Sequence, residues 1–193
     1  MAGRPKKFDE EKAVQQAAVL FWEQGYEATS LQDLLQVMSI QKGSFYHTFN
    51  SKKELFLKCM QWHDNQSFTE FRALLAATDQ PITLIKSLFL QFATDSPDNH
   101  GKGCFAGNIV AELSSKEGNL AAGAKEYLLT LEYIFFEQIT WAQLNGQLQN
   151  KTDARILARY LLNLWNGINI TRRLYPIEKE LLPVLEFQLS ILN

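Results

Sequence analysis

The sequence predicts an all-α fold, and three observations carry that prediction. Apolar residues recur at spacings of three and four along most of the 193 residues, the period of a helix with one buried face. Residues that open helices (Ser, Thr, Asp) and residues that close them (Gly) fall between those segments. No stretch alternates apolar and polar residues for long enough to make a strand, and nothing repeats at a fixed period. With 46% hydrophobic and 21% charged residues, the chain has the composition of a globular protein that buries a core. About nine helices are expected.

Each element has a local reason. Asp9 is a good N-cap, with Glu10 and Glu11 in the first turn, where carboxylates complement the helix dipole. Val14, Ala17, Ala18 and Phe21 form the apolar stripe of this first helix, and Gly25 supplies its stop. Thr29 and Ser30 offer a cap for a short second helix carrying Leu31, Leu34, Leu35 and Met38, and Ser30 with Asp33 approximates a capping box. Residues 41–48 make a third short helix. Ser51 and Glu54 form an S-x-x-E box that opens a fourth. Longer helices follow over about 51–77, 81–94, 104–114, 117–144 and 152–174, and a last one reaches Asn193. Pro81 suits a first helical turn. Pro183 either kinks the last helix or marks its start near Leu182. The segment 95–103 (DSPDNHGKG) is polar and rich in Gly and Pro, hence a loop.

Charge and cysteine content narrow the function classes. The formal net charge is −2, which speaks against a uniformly basic nucleic-acid binder, but the charge is unevenly placed. Residues 1–60 hold eight cations (Arg4, Lys6, Lys7, Lys12, Lys42, Lys52, Lys53, Lys58) against seven acids, so any polyanion contact is expected near the N-terminus. The longest uncharged run, Gln138–Asn150, has 13 residues, short of the roughly 20 a membrane span needs. The basic start is followed by acids and not by an apolar run, so no signal peptide is read there, and a cytoplasmic location is expected. Cys59 and Cys104 sit in no CxxC or Cys/His cluster, so neither a disulfide framework nor a metal is expected, and no cofactor is implied.

Two short helices separated by residues 37–40, the second about two turns long and flanked by basic residues, have the dimensions of a helix-turn-helix DNA reader. The run GYEATSLQDLLQVMSIQKGSFYHTFNSKKEL, from Gly25 to Leu55, closely resembles the DNA-binding module of the TetR family of bacterial regulators. The shared pattern is G-[YF]-x-x-[TS]-[ST] followed by K-G-[ST]-[LF]-Y-x-x-F-x-[ST]-K-x-x-L. The resemblance implies a DNA-binding domain over residues 1–55 and an effector-binding and dimerisation domain over 56–193. It implies a transcriptional regulator that is not an enzyme: a repressor that binds a palindromic double-stranded operator as a homodimer and is released by a small-molecule effector.

On that resemblance, Gln41, Lys42, Gly43 and Ser44 open the recognition helix and reach base edges, Gly43 letting backbone and duplex come close. Tyr46 and His47 on the next turn donate to phosphates, and Lys52 beside the Ser51 cap adds a cation at a helix end. Thr29 or Ser30 is expected to bind phosphate through hydroxyl and amide. Phe45 and Phe49 should anchor the helix inward. Arg4, Lys6 and Lys7 resemble an arm that follows the minor groove. The chain departs from the family pattern at Ser39, where Gly is usual in the turn, at Gln41, where Ser or Thr often caps, and at Thr48, where His is frequent.

The aromatic-rich remainder is read as core, effector pocket and dimer interface. Two stripes are assigned to the interface: Ile156, Tyr160, Leu164, Gly167 and Ile168; and Leu181, Leu182, Leu185, Leu189 and Leu192. Trp62, Cys104, Asn108, Tyr127, Trp165 and Asn169 are the candidate effector contacts, with Glu112, Asn166 and Arg172 as further polar residues in apolar surroundings. The segment GKGCFAGNIVAELS resembles one subgroup of the family, some of whose members respond to small electrophilic or aromatic compounds. Cys104 near Lys102 is therefore either an oxidant sensor with a lowered thiol pKa or an ordinary buried cysteine. An enzyme is the opposing class. Its motifs (G-x-S-x-G, H-E-x-x-H, P-loop, G-x-G-x-x-G) do not occur, and the sequence neighbours His63 and Asp64 are expected on different helix faces with no relay between them.

Overall fold

Asp9 accepts the Lys12 N–H at 3.1 Å and Gly25, at φ +85°, closes the helix by donating to the Phe21 carbonyl at 2.9 Å, so the first helix begins and ends where its caps dictate. The structure, a computed structural model, describes residues 8–94, 102–115, 118–175 and 178–193. Among the described residues there are nine α-helices: α1 Glu10–Gln24, α2 Leu31–Val37, α3 Lys42–Phe49, α4 Lys52–Ala76, α5 Pro81–Thr94, α6 Phe105–Leu113, α7 Gly118–Leu144, α8 Ala154–Leu174 and α9 Glu178–Leu189. A single 3₁₀ turn, Ser190–Leu192, follows. The all-α expectation holds. Pro183 lies inside α9, so this helix starts before the proline.

The described residues divide into two compact units, one up to Ser67 with Asn108–Ala124, the other Phe68–Gly107 with Lys125–Asn193. The first holds α1 to α3, the start of α4, most of α6 and the start of α7. Its core is aromatic: Phe21, Phe45, Phe49 and Phe56 are 0–1% exposed, with Leu34 and Leu55 beside them. Phe21 meets Phe56 edge-on with centroids 5.1 Å apart, and Phe45 lies 5.7 Å from Phe49. Cys59 donates its thiol hydrogen to the Val14 carbonyl at 3.4 Å, which ties α4 to α1. The second unit is built round Ile85, Phe89, Phe135, Ile139, Leu157 and Leu161. Gln143 clamps the α7–α8 connection by donating to the carbonyls of Asn150 and Thr152 at 2.8 and 2.9 Å.

The turn between α2 and α3 shows how the chain manages one of its departures. Ile40 N–H donates to Leu35 and Ser39 N–H to Gln36, both at 3.1 Å, the paired bonds of a Schellman ending. That ending places its pivotal residue at positive φ, and Ser39 sits there at +54°. A side chain at this backbone angle costs about 1 kcal/mol that glycine avoids. The serine therefore reproduces the glycine geometry under strain. Ser39→Gly is expected to raise the stability of the chain by up to about 1 kcal/mol, partly offset by glycine's freedom in the unfolded chain. Chemical denaturation checks this, and a destabilised variant would contradict the strain.

Candidate nucleic-acid interface

Helix α3 has two faces. Phe45 and Phe49, one turn apart, are 0% and 1% exposed, while Lys42, Gly43, Tyr46 and His47 are exposed and Ser44 is half-buried. Gln41 caps α3 through backbone geometry alone, with no side-chain hydrogen bond, so the first-turn N–H groups of α3 remain for solvent or a ligand. A methyl group placed on Gly43 would meet no atom within 4 Å. Nothing inside the protomer requires glycine at that position.

The helix-end residues around α3 are also defined. Ser30 is exposed and makes a full capping box: its hydroxyl accepts Asp33 N–H at 3.1 Å, and its own N–H donates to Asp33 Oδ2 at 2.9 Å. The Ser30 hydroxyl, which donates to Asp33 Oδ2 at 2.6 Å, and then the Ser30 N–H hold the Asp33 carboxyl below its usual pKa. Ser51 accepts Glu54 N–H at 3.1 Å, but its own N–H goes to the Phe49 carbonyl at 2.6 Å, so only half of the expected box at α4 forms. Lys52 is half-buried, with Nζ 4.4 Å from the centroid of the Tyr26 ring. Thr29 is a correction: it is fully buried, and Oγ1 donates to the Gly25 carbonyl at 2.6 Å, so the hydroxyl locks the α1–α2 turn and is closed to a phosphate. Arg4, Lys6 and Lys7 lie outside the described residues.

Sequence reasoning singled out Glu112 only as a polar residue in an apolar helix. Its carboxylate accepts two backbone amides of the α1–α2 turn, Tyr26 N–H at 3.1 Å and Glu27 N–H at 2.7 Å. A Cβ on Gly25 would stand 2.9 Å from Glu112 Oε2. The turn thus needs glycine for its positive φ and for this approach. The Gly-Tyr pair was visible in the sequence, but its acceptor lies 86 residues from Tyr26.

Of the six candidate effector contacts, the structure joins three in the second unit. Trp165 Nε1–H donates to Cys104 Sγ at 3.3 Å, and Asn169 Nδ2 donates to the Trp165 carbonyl at 2.8 Å. Tyr127, also in this unit, packs on Phe68 with centroids 4.6 Å apart. Trp62 and Asn108 are half-buried residues of the first unit. Cys104 corrects the sensor alternative: burial pushes its thiol pKa up, and this outweighs the opposing hydrogen bonds from Gly107, Trp165 and Ala106 and the charge of Arg172. His63 and Asp64 correct the expectation of divergent side chains, since His63 Nδ1 stands 3.6 Å from Asp64 Oδ1. Among the described residues no group of three His, Cys, Asp or Glu side chains is placed to hold a metal ion.

The expected interface stripes are corrected in part: Ile156 is 59% exposed, but six of their ten residues lie inside. Leu164, Ile168, Leu181, Leu185, Leu189 and Leu192 are 1–7% exposed within a single protomer and belong to its own core. The apolar residues left outside are Ile156, Ile170 and Leu174 on α8, Tyr175 just after it, and Val184 and Phe187 on α9, the last 80% exposed. Between α8 and α9 runs an apolar cleft of about 650 Å³, walled by residues such as Leu164, Ile168, Leu181 and Val184. Tyr160 bridges the two helices, its hydroxyl donating to the Gln188 carbonyl at 2.8 Å.

Comparison with known proteins agrees with this layout. Residues 13–59 match the family described as bacterial regulatory proteins, tetR family, and residues 85–181 match the tetracyclin repressor-like C-terminal domain. The chain is 30% identical to the HTH-type transcriptional repressor ComR of Escherichia coli strain K12 over 179 residues, covering 89% of this chain and 82% of that protein. It is 31% identical over 161 residues to the HTH-type transcriptional regulator YezE of Bacillus subtilis strain 168, covering 82% and 83%. Among solved structures it is similar to a cysteine mutant of the TetR family transcriptional regulator CifR complexed with 26bp double-strand operator DNA. That likeness has a TM-score of 0.84 and 25% identity, over 99% of this chain and 100% of the other.

The thiol geometry has a direct consequence. Both cysteines are buried, with thiol pKa values raised by burial, so at neutral pH both are protonated and poor nucleophiles. Iodoacetamide at pH 7 is expected to leave Cys104 and Cys59 unmodified in the native protein while alkylating both in guanidinium. Rapid native modification of Cys104, read by mass spectrometry, would contradict the raised pKa.

Proposed function

Since the chain belongs to the TetR family of bacterial regulatory proteins, we propose that it is a DNA-binding transcriptional repressor, working as a homodimer on a palindromic operator and released by a small-molecule effector. It is a regulator and not an enzyme. The observation that carries the reading is the two-faced α3, whose buried Phe45 and Phe49 turn Lys42, Gly43, Tyr46 and His47 outward. On this reading residues 1–55 read DNA and residues 56–193 hold effector and partner. A protein whose ligand is chromosomal DNA works in the bacterial cytoplasm, and among the described residues no helix is long and apolar enough to cross a membrane.

The division of labour follows from side-chain chemistry. Gln41, Lys42 and Ser44 stand at the N-terminal end of α3, the end a helix-turn-helix inserts into the major groove, and are assigned to base edges. Tyr46, His47, Ser30 and Lys52 flank them and are assigned to phosphates, which fix register without reading sequence. Gly43 is assigned to close approach, because its own protomer gives it no reason to lack a side chain. One α3 of eight residues is a weak and unspecific reader alone. A two-fold dimer engages two half-sites about 34 Å apart.

The exposed residues Ile156, Ile170, Leu174, Val184 and Phe187 support a dimer formed through α8 and α9, since apolar side chains this exposed gain from burial against a second copy. The adjacency of Cys104, Trp165 and Asn169 supports the assignment of these three residues to the effector site. Effector action is a population shift, with ligand favouring the state whose readers no longer match the half-sites.

Three outcomes test these assignments. Gly43→Ala is expected to leave stability unchanged or raise it by up to about 1 kcal/mol through helix propensity, yet to weaken operator binding in a gel-shift titration; equal binding by the variant would remove the close-approach role. Lys42 and Ser44 substitutions should alter sequence preference in the same titration. Phe187→Glu is expected to convert the dimer to a folded monomer in light scattering with near-native helix content, and an unchanged dimer would exclude the α8–α9 face as the interface.

A further inference from the structure

The groups around the α1–α2 turn form a connected series that ends at Lys52, the cation assigned above to a phosphate. Glu112, on α6, accepts the amides of Tyr26 and Glu27 at 3.1 and 2.7 Å. The Tyr26 ring packs edge-on against Phe56 of α4 with centroids 4.8 Å apart and stacks on Phe21 of α1 at 6.0 Å. Over the same ring, 4.4 Å from its centroid, stands the ammonium group of Lys52. The carboxylate therefore fixes the backbone that carries the ring, and the ring fixes the cation.

We propose that Glu112 is a positioning residue for DNA binding: by latching the α1–α2 turn to α6 it holds the Tyr26 ring as the platform on which Lys52 is poised at the start of α4 for a DNA phosphate. The inference rests on the operator-binding reading and extends it to a residue outside the helix-turn-helix. A lysine side chain samples many rotamers, and a cation is attracted to the face of an aromatic ring. The platform thus narrows the positions of Nζ before DNA arrives.

The sign of the effect separates this role from simple electrostatics. Removing an acidic residue lowers the negative charge of the protein and by itself strengthens binding to a polyanion. Removing a latch weakens it. Glu112→Ala is therefore expected to weaken binding despite the favourable change in charge, and Glu112→Gln, which keeps one acceptor oxygen, is expected to recover much of the loss.

The test uses the full-length protein and a duplex of about 30 base pairs that wild type selects from a randomised library, long enough for two half-sites one turn apart. Fluorescence anisotropy is measured against salt for wild type, E112A, E112Q, Y26L, K52A and the double variant E112A/K52A. E112A and Y26L are expected to raise Kd about tenfold, roughly 1.4 kcal/mol. The slope of log K against log salt should fall by about two, one phosphate for each protomer. E112A/K52A should be no weaker than K52A alone, because the latch acts only through the lysine. Additive losses in the double variant, or an unchanged salt slope in E112A, would overturn the proposal. Amide hydrogen exchange without DNA checks the latch itself: the Tyr26 and Glu27 amides should exchange faster in E112A than in wild type, and equal rates would also overturn it. If wild type selects no duplex, the operator reading fails, and the exchange experiment still decides whether the latch exists.

Discussion

The burial of Phe45 and Phe49 is the constraint on which the outward face of α3 depends. Helix α3 spans only eight residues, too few to be stable by itself in water, so its existence and its rotation about its own axis are set by what its inner face meets. Two phenylalanines one turn apart and nearly fully enclosed fix both. Lys42, Gly43, Tyr46 and His47 are then outward by elimination. Each of these residues is unremarkable in isolation. What brings them onto one outward surface is a helix whose inner face is enclosed in the unit that also holds Phe21 and Phe56.

A different economy governs the two last long helices. Helix α8 has apolar residues on more than one side: Leu157, Leu161, Leu164 and Ile168 are enclosed, while Ile156, Ile170 and Leu174 are 59–69% exposed. Both sets have helical spacing, so periodicity cannot rank one above the other. The stripes chosen from the sequence were mostly the inner ones, because the longest and most regular leucine runs are those a chain uses for its own core. The side left exposed is the less regular one, and only coordinates reveal which side has already been covered.

Two corrections share a physical cause. Thr29 carries a hydroxyl of the right type for a phosphate, and Cys104 a thiol next to basic residues in sequence, yet both are buried and spoken for by local hydrogen bonds. A side chain's chemistry is legible from its identity, but its availability is decided by enclosure. Arg172 illustrates the same point, since the charge bearing on Cys104 comes from it, 68 positions along the chain, and not from the neighbouring Lys102. Ser39 is the converse case. Its departure from glycine was visible, and the backbone still takes the glycine conformation because the Schellman hydrogen bonds and the following helix leave no alternative.

The sequence by itself determined the helical class, most helix ends to within a residue or two, the family, and the place of the helix-turn-helix. These depend on caps, stops and spacings that act over four residues or fewer, so they can be read in order along the chain. Asp9, Gly25, Ser30 and Pro81 each do locally what their chemistry prescribes. Tertiary structure alone decided which apolar stripe is covered, that Thr29 and Cys104 face inward, that His63 and Asp64 approach one another, and that Glu112 grips the turn at Tyr26. Each of these joins groups or surfaces whose meeting depends on how helices pack, and spacing along a sequence contains no distance between helices.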